Sequence, residues 1–180
     1  MSLLGNFLYC SYDKISDYLY LGNYNAAQDE KFIKEKDIKL VINASKDLKI
    51  PEFYNRLGVE YYRIPINDSN TINDNKILND NMDYVMNLID KYRLDKKNVF
   101  VHCYAGMQRS AAIILSYMIF KLKQDYNNDI DKDKYKKITY EGLVSFLKNK
   151  RPVVFKNGAT FDLLLRNRYE SLSNLIHQKN

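Results

Sequence analysis

Several residue types that define particular protein classes are scarce in this sequence. It has no tryptophan, two cysteines, three prolines and six glycines among 180 residues. Two cysteines cannot form the disulfide framework of a small secreted domain, so we expect a reducing compartment. The low glycine and proline content excludes fibrous and low-complexity disordered chains. The missing tryptophan accompanies an abundance of Asn, Lys, Ile and Tyr, and it excludes no chemistry.

Long apolar stretches are also absent. No run approaches the roughly 18 apolar residues that are needed to cross a bilayer. The first residues, MSLLGNFLYCSYDK, lack the basic region and the long apolar region of a secretory signal. We therefore predict a protein of the cytoplasm, or of the cytoplasm and nucleus, that has no membrane partner.

The overall composition is that of a folded soluble domain. Hydrophobic residues make up 46% of the chain and charged residues 28%. A chain of this length can bury roughly 70% of its unfolded surface in one core. The formal net charge of +6 favours anionic partners. A lysine-rich surface also serves solubility alone, so the charge does not indicate an obligatory nucleic-acid partner.

Short apolar runs alternate with helical patterns from about Tyr18 onward, which is typical of an α/β fold. The predicted strands cover residues 18–21, 40–43, 61–66 and 99–102. The predicted helices cover residues 26–36, 77–92, 110–122, 141–150 and 159–176. Residues 123–137 are charged, rich in Asn and Asp and without a period, and we predict an exposed insertion there. We expect an N-terminal segment, residues 1–17, and one catalytic domain, residues 18–180.

One stretch, VFVHCYAGMQRSAAIILSYM, places a loop between a strand and a buried helix. A loop between the carboxyl end of a strand and the amino end of a helix points backbone N–H groups inward, and the helix dipole adds positive potential. Such a loop binds anions. We name residues 103–109 the phosphate loop. The backbone groups expected around the anion belong to Tyr104, Ala105, Gly106, Met107 and Gln108.

The two ends of the phosphate loop carry a nucleophile and a cation. Cys103 opens the loop, which places its sulfur at the floor of the anion site, and Arg109 closes the loop, which places its guanidinium at the wall. A thiolate attacks phosphorus, and a helix N-terminus with a nearby cation favours the thiolate. A planar guanidinium holds two phosphate oxygens at once and binds them more strongly in the transition state. We therefore predict Cys103 as the nucleophile and Arg109 as the phosphate clamp.

Three neighbouring residues are predicted to support Cys103. Gly106 lets the backbone turn tightly without a Cβ that points into the anion site. The Ser110 hydroxyl can donate to the cysteine sulfur and stabilise the thiolate as attacker and as leaving group. His102 belongs to the strand, so we expect it to orient the loop rather than transfer protons. The alternative, a buried inert cysteine, is disfavoured for Cys103 by the full string His-Cys-x5-Arg-Ser, but it stands for Cys10.

With these residues the chain resembles a small, atypical dual-specificity protein phosphatase of the Cys-x5-Arg protein tyrosine phosphatase superfamily. Four further segments carry the resemblance: YLYLGNYNAA (18–27), LVINAS (40–45), IPINDS (64–69) and KNKRPVVFKNGATF (148–161). The resemblance implies a central mixed, mostly parallel sheet flanked by helices. It also implies a phosphocysteine mechanism that needs neither a metal nor another cofactor.

The resemblance places two more residues at the site. The residue that matches the family's general acid is Asp68, which lies 35 residues before the nucleophile. An acid there protonates the leaving oxygen and then serves as the base for the hydrolytic water. Such catalysis typically raises the rate by about 10² to 10⁴. Asp74 is the rival acid, and an ordinary turn aspartate is the alternative for Asp68. Asn157 matches a late Asn that supports the loop, although Lys156 replaces the Pro that usually precedes it.

The substrate class is predicted from the loop interior. Residues 104–108 carry no charge. Phosphoinositide phosphatases with a similar loop usually place lysines there, and RNA 5′-triphosphatases of the superfamily tend to carry His and Asn there and Thr after the Arg. We therefore predict phosphorylated proteins as partners, with hydrolysis of phosphotyrosine and of phosphoserine or phosphothreonine.

Several alternatives stay open at this point. A phosphoinositide phosphatase, an RNA 5′-phosphatase and a non-catalytic phosphate-binding pseudophosphatase use the same loop. A basic rim that guides polyanions would draw on Lys148, Lys150, Arg151 and Lys156. The apolar N-terminal segment either covers the domain or pairs with a second copy in a homodimer.

Overall fold

A five-stranded sheet lies at the centre of the protein, in a computed structural model that describes residues 11–67, 69 and 71–177. In chain order the strands are β1 (Tyr12–Ser16), β2 (Leu19–Gly22), β3 (Ile38–Asn43), β4 (Glu60–Arg63) and β5 (Asn98–His102). The spatial order is β1-β2-β5-β3-β4. β1 pairs antiparallel with β2, and the other neighbours pair in parallel. The sheet is therefore mixed and mostly parallel, which confirms the predicted fold.

Helices cover both faces of this sheet. They are α1 (Tyr24–Ala27), α2 (Glu30–Glu35), α3 (Phe53–Leu57), α4 (Ile72–Leu94), α5 (Arg109–Asn128), α6 (Tyr140–Lys150) and α7 (Asp162–His177). The larger core lies between one face and α4 to α7, and the smaller core lies between the other face and α1 to α3. Within the described ranges, no helix has the length and apolar character that crossing a membrane requires.

The two longest helices follow from apolar pattern and capping. In α4 the apolar residues Leu78, Met82, Val85 and Ile89 follow one side of the helix and are buried. The helix begins at Ile72, five residues before the predicted start, because the Thr71 hydroxyl accepts the N–H of Asp74 and caps the first turn. α5 is buried all round over residues 109–117, as expected for a helix inside the domain.

The central strand positions the phosphate loop. Residues 99–102 of β5 are buried, because β2 and β3 flank this strand and helices cover both of its faces. The phosphate loop joins the carboxyl end of β5 to the start of α5. In open parallel sheets, ligands bind in the crevice outside the carboxyl ends of the strands. The fold therefore places the loop where a ligand site is expected.

The N-terminal boundary of the domain differs from the prediction. Tyr12–Ser16, expected in a segment before the domain, forms β1 and pairs with β2. Ile15 is the one buried residue in this edge strand, which leaves too little apolar alternation for a strand to be predicted. The domain therefore includes the chain from Tyr12 onward. Residues 1–10, which include Cys10 and most of the segment considered for a homodimer, lie outside the described residues.

The predicted insertion, residues 123–137, is partly helical. α5 continues to Asn128, and a 3₁₀-helix covers Asp133–Lys137. Tyr126 and Tyr135 are buried, and their rings meet edge to face with centroids 5.7 Å apart. Most of the other residues of the stretch are exposed, as predicted, whereas the helical parts and the two buried tyrosines, which anchor the stretch to the core, were not predicted.

Candidate active site

The phosphate loop turns its carbonyl groups outward. The Tyr104 carbonyl accepts the N–H of Tyr24 at 3.0 Å, and the Met107 carbonyl accepts the N–H of Phe155 at 3.1 Å. A trans peptide unit directs the N–H of the next residue away from the carbonyl. The N–H groups that follow these two carbonyls therefore point into the loop, where they can donate to an anion.

Gly106 and Arg151 fix the middle of the loop. Gly106 has a φ of 68°, and a Cβ at this position would lie 2.5 Å from the Gly22 carbonyl oxygen. The Gly106 carbonyl accepts the Nε–H of Arg151 at 2.9 Å. Arg151 also forms an ion pair with Asp13 at 2.6 Å, and its side chain is 2% exposed. A buried cation thus joins the phosphate loop to β1.

Cys103, the predicted nucleophile, lies buried at the floor of the loop. Its sulfur accepts the N–H of Gly106 at 3.3 Å and the hydroxyl of Ser110 at 3.2 Å. Both donors stabilise negative charge on the sulfur. α5 begins at Arg109, so the positive end of its dipole lies at the same place. The structure therefore brings together the predicted nucleophile and the predicted thiolate donor.

Arg109, the predicted phosphate clamp, occupies the first turn of α5 and is 8% exposed. Its Nη1 donates to the carbonyl of Ile66 at 3.4 Å. Ile66 lies two residues before Asp68 in the sequence. The guanidinium is therefore tied to the segment that is predicted to carry the general acid.

His102 ends β5 and is buried. Its ring stacks on Phe100 with centroids 5.6 Å apart, and its Nδ1 lies 3.3 Å from the Cys103 carbonyl oxygen. Burial lowers the pKa of His102 to about 4, and the positive charges of Arg63 and Arg109 act in the same direction. The imidazole is therefore neutral near pH 7, and its polar contact is with the backbone of the phosphate loop.

The segment before α7 supports the phosphate loop through Gln108. The Gln108 side-chain amide donates to the Gly158 carbonyl at 2.9 Å, and its oxygen accepts the N–H of Thr160 at 3.0 Å. Asn157, which was expected to support the loop, is exposed. The hydrogen bonds between this segment and the loop come from the Gln108 side chain and from the backbone of Phe155 instead.

The two candidates for the general acid have different surroundings. Asp68 lies outside the described residues. Asp74 is buried and accepts three donors: the N–H of Asn67 at 3.0 Å, the hydroxyl of Ser69 at 2.5 Å and the hydroxyl of Thr71 at 2.7 Å. Burial raises the pKa of Asp74, but these hydrogen bonds outweigh it and hold the pKa below its usual range. A buried carboxylate that stays ionised is a poor proton donor, so Asp74 is disfavoured as the acid.

Arg151 is the main site residue whose role the sequence did not reveal. It was grouped with lysines on a basic rim, whereas the structure buries it between Asp13 and the phosphate loop. One signal was available, because a cation that precedes the run Pro-Val-Val-Phe must be paired if it is buried. The identity of its partner was not available, because Asp13 and Arg151 lie 138 positions apart in the sequence.

Together these residues form a cup suited to a tetrahedral oxyanion. Inward N–H groups line the cup, Arg109 lies beside it and the Cys103 sulfur lies at its floor. Such an arrangement binds the anion and holds a nucleophile in line with it, which lowers the entropic and electrostatic parts of a reaction barrier.

Comparison with known proteins agrees with this geometry. The family model described as dual specificity phosphatase, catalytic domain, matches residues 19–132. Human dual specificity protein phosphatase 21 is 24% identical over 164 residues, which covers 91% of this chain and 75% of the relative. Human dual specificity protein phosphatase 8 is 33% identical over 106 residues, which covers 59% of this chain and 16% of the relative.

Solved structures share the fold over about nine-tenths of the chain. Human DUSP28 has a TM-score of 0.70 at 19% identity and matches 91% of this chain and 95% of that protein. OH1 from the Orf virus, a tyrosine phosphatase, has a TM-score of 0.61 at 19% identity and matches 94% of this chain and 88% of that protein. These similarities establish the architecture of the sheet and its helices.

Proposed function

This chain belongs to the dual-specificity phosphatase family and is a protein phosphatase, and we propose that it hydrolyses phosphotyrosine and phosphoserine or phosphothreonine esters through a phosphocysteine intermediate. In this proposal Cys103 is the nucleophile and Arg109 is the phosphate clamp. Asp68 is the general acid, and Ser110 stabilises the thiolate. His102 and Gln108 hold the phosphate loop in place.

The observation that carries the proposal is the pair of donors on the Cys103 sulfur. The Gly106 N–H of the phosphate loop, at 3.3 Å, and the Ser110 hydroxyl in the first turn of α5, at 3.2 Å, both donate to Sγ. A cysteine kept only for packing behaves as a small apolar residue and needs no such donors. A thiolate that attacks a bound phosphate is stabilised by both donors.

In the first step the ester phosphate binds in the loop, where the inward N–H groups and Arg109 donate to its oxygens. The Cys103 thiolate attacks phosphorus, so the S–P bond forms while the P–O bond to the leaving group breaks. Asp68 donates its proton to the leaving oxygen, and a neutral phenol or alcohol departs. The donors stabilise the charge that redistributes over the equatorial oxygens in the transition state.

In the second step water hydrolyses the phosphocysteine. The Asp68 carboxylate accepts a proton from the attacking water, the new O–P bond forms, and the S–P bond breaks. The electron pair of the broken bond returns to the Cys103 sulfur as a thiolate. Ser110 donates to this sulfur and so stabilises the leaving group before inorganic phosphate departs.

The chemistry of the loop interior supports phosphoproteins over substrates that carry several phosphates. Tyr104 and Ala105 are exposed, and neither adds a cation. Arg151 is buried and paired with Asp13, which withdraws it from the basic rim that a polyanion would use. A single phosphate on a protein side chain needs only the loop and Arg109.

Hydrolysis by the purified chain tests this proposal. In the presence of a chelator, kcat/KM for phosphotyrosine and phosphothreonine peptides should exceed that for a phosphoinositide and for 5′-triphosphorylated RNA by at least about tenfold at equal ionic strength. Cys103→Ser should lose turnover of all four substrates. A tenfold lead for either non-protein substrate would contradict the substrate class, and activity in Cys103→Ser above about a tenth of wild type would contradict the mechanism.

A further inference from the structure

A groove of about 1160 Å³ lies between α4 and α7, with α5 as its floor. All three helices begin near the active site. α4 follows the segment that is predicted to carry the acid, α5 follows the phosphate loop, and α7 follows the segment that Gln108 holds. The groove therefore leads away from the site along the length of these helices.

One residue belongs to both the groove and the wall of the active site. Thr160 lines the groove, and its N–H donates to the side-chain oxygen of Gln108 in the phosphate loop at 3.0 Å. Ile72, on the opposite side, lines the groove only four residues after Asp68. One end of the groove is thus connected to the phosphate loop through the contact between Thr160 and Gln108.

The length of the groove suits several residues of extended chain. On its floor it reaches from Ser116 to Asn127, seven and eighteen residues beyond Arg109. At about 1.5 Å per helical residue, this places the floor from about 10 Å to about 27 Å beyond the start of α5. An interval of about 17 Å accommodates about five residues of an extended polypeptide.

The lining has both the apolar and the polar groups that a peptide needs. Ile72 and Leu163 face solvent with 91% and 75% of their side chains exposed. Asn75, Asn79 and Asn87 follow one side of α4 at spacings of four and eight residues. Asn75 and Asn87 each donate one amide N–H to the Thr71 and Asp83 carbonyls, at 3.0 and 2.7 Å, and the Asn79 oxygen accepts from Arg168 at 3.3 Å. An amide has two donor and two acceptor positions, so Asn79 and Asn87 can also bond to the N–H and C=O groups of an extended backbone.

The floor of the groove contains a buried hydroxyl group. The hydroxyl oxygen of Ser116 is buried, and it has no hydrogen-bond partner among the described residues. A buried hydroxyl without a partner is costly, and a ligand or water in the groove that bonds to it removes the cost.

The charges of the groove disfavour a polyanion. The charged residues that line it are Asp83, Lys123, Asp162 and Arg168. Arg168 pairs with Asp83 at 2.7 Å, so two acidic and two basic groups leave the groove without excess positive charge. Nucleic acid and anionic membrane surfaces bind through excess Lys and Arg. A polypeptide of mixed character is the ligand that fits.

We propose that this groove binds an extended segment of the phosphoprotein substrate next to the phosphorylated residue, with an aliphatic side chain of the substrate between Ile72 and Leu163. The inference rests on the proposed function and extends it, because it makes the residues around the phosphorylated side chain part of recognition. Long substrates then bind by the groove as well as by the phosphate loop.

A kinetic comparison tests the proposal. Three substrates are used: an aryl phosphate, a phosphopeptide with one flanking residue on each side, and a phosphopeptide with about six residues, including aliphatic ones, on each side. The wild type should hydrolyse the long peptide with about tenfold higher kcat/KM than the short one. Leu163→Ser should lose at least about fivefold in the ratio of long-peptide to aryl-phosphate kcat/KM.

Leu94→Ser is the matched control, because Leu94 is 72% exposed at the far end of α4 and does not line the groove. It should keep the wild-type ratio. Equal kcat/KM for the long and short peptides in the wild type would contradict the proposal that the groove binds substrate. So would an equal ratio of long-peptide to aryl-phosphate kcat/KM in Leu163→Ser and Leu94→Ser. In either case, turnover of the aryl phosphate would still support the phosphatase activity. No turnover of any substrate would overturn both.

Photo-crosslinking identifies the occupant directly. The full chain carries Cys103→Ser and Leu163→p-benzoylphenylalanine, and the long phosphopeptide is added before irradiation. Cross-links from position 163 to the peptide support the proposal. Cross-links only to residues 1–10 of the same chain or to a second copy would assign the groove to one of these occupants and overturn it.

Discussion

Arg151 donates its Nε–H to the Gly106 carbonyl while its Nη1 pairs with Asp13, so one buried side chain connects the phosphate loop to the edge of the sheet. Because this hydrogen bond holds the Gly106 carbonyl outward, the N–H of the next residue, Met107, points into the anion site. Phosphate binding therefore depends on a residue that the phosphate need not touch.

Replacement of Arg151 tests this dependence. Arg151→Met should lower the free energy of unfolding by about 1 to 3 kcal/mol, because the Gly106 carbonyl and Asp13 both lose a donor. It should also weaken inhibition by orthovanadate, a phosphate analogue. Asp13→Asn is the control, because it keeps the bond to Gly106 and should keep vanadate inhibition. Urea unfolding and inhibition constants are the measurements. Unchanged vanadate inhibition in Arg151→Met would show that the loop does not need this contact.

Gly106 and Gly58 provide a matched pair of glycine substitutions. Both have a positive φ, 68° and 65°, so alanine at either position should cost about 1 to 2 kcal/mol in backbone strain. A Cβ at Gly106 also meets the Gly22 carbonyl oxygen at 2.5 Å, whereas a Cβ at Gly58 meets nothing within 4 Å. Gly106→Ala should therefore lose most of its turnover, and Gly58→Ala should keep it. Equal turnover in the two variants would refute the steric argument.

The pH profile of turnover separates Asp68 from Asp74. On phosphate esters with poor leaving groups, Asp68→Asn should lower kcat by about 10² to 10⁴ and remove the loss of rate at high pH that deprotonation of the acid causes. Asp74→Asn should keep that basic limb, because Asp74 is a buried acceptor for the loop around Asp68. If the basic limb vanished in Asp74→Asn instead, Asp74 would be the acid.

His102 should make the protein less stable in mild acid. Its pKa in the folded protein is about 4 against an ordinary value of 6.5, so the unfolded chain binds a proton that the folded protein excludes. Stability should therefore fall as the pH decreases from about 6.5 to about 4, by about 3 kcal/mol from this group. His102→Asn should reduce this slope, and His177→Asn, at the exposed end of α7, should not. Urea unfolding at several pH values measures both.

The site was predictable where its parts are close in sequence. Cys103, Arg109 and Ser110 lie within eight residues, so the strand, loop and helix pattern alone places them around one anion. The outward carbonyls were not predictable, because their donors Tyr24 and Phe155 come from distant segments. Such long-range hydrogen bonds depend on the packing of the whole sheet, and no local pattern encodes them.

The limits of the fold prediction have the same origin. The central strands have continuous apolar runs that local pattern identifies, whereas β1 is an edge strand with one buried residue, Ile15. The charged stretch after residue 122 has no apolar period, yet Tyr126 and Tyr135 hold it against the core. The burial of such isolated anchoring residues cannot be predicted from local sequence, because it depends on their tertiary partners.

The central claim is that Cys103 carries the phosphoryl group during turnover. Ser110→Ala tests it most directly, because loss of the hydroxyl at 3.2 Å from the sulfur weakens the thiolate as a leaving group and should make phosphocysteine accumulate. The variant is mixed with an aryl phosphate, quenched with acid and analysed by peptide mass spectrometry. We predict one added phosphoryl group on the peptide that contains Cys103, and none when Cys103→Ser is also present. Steady turnover with no phosphoryl group on that peptide, or with the group on another residue, would contradict the account.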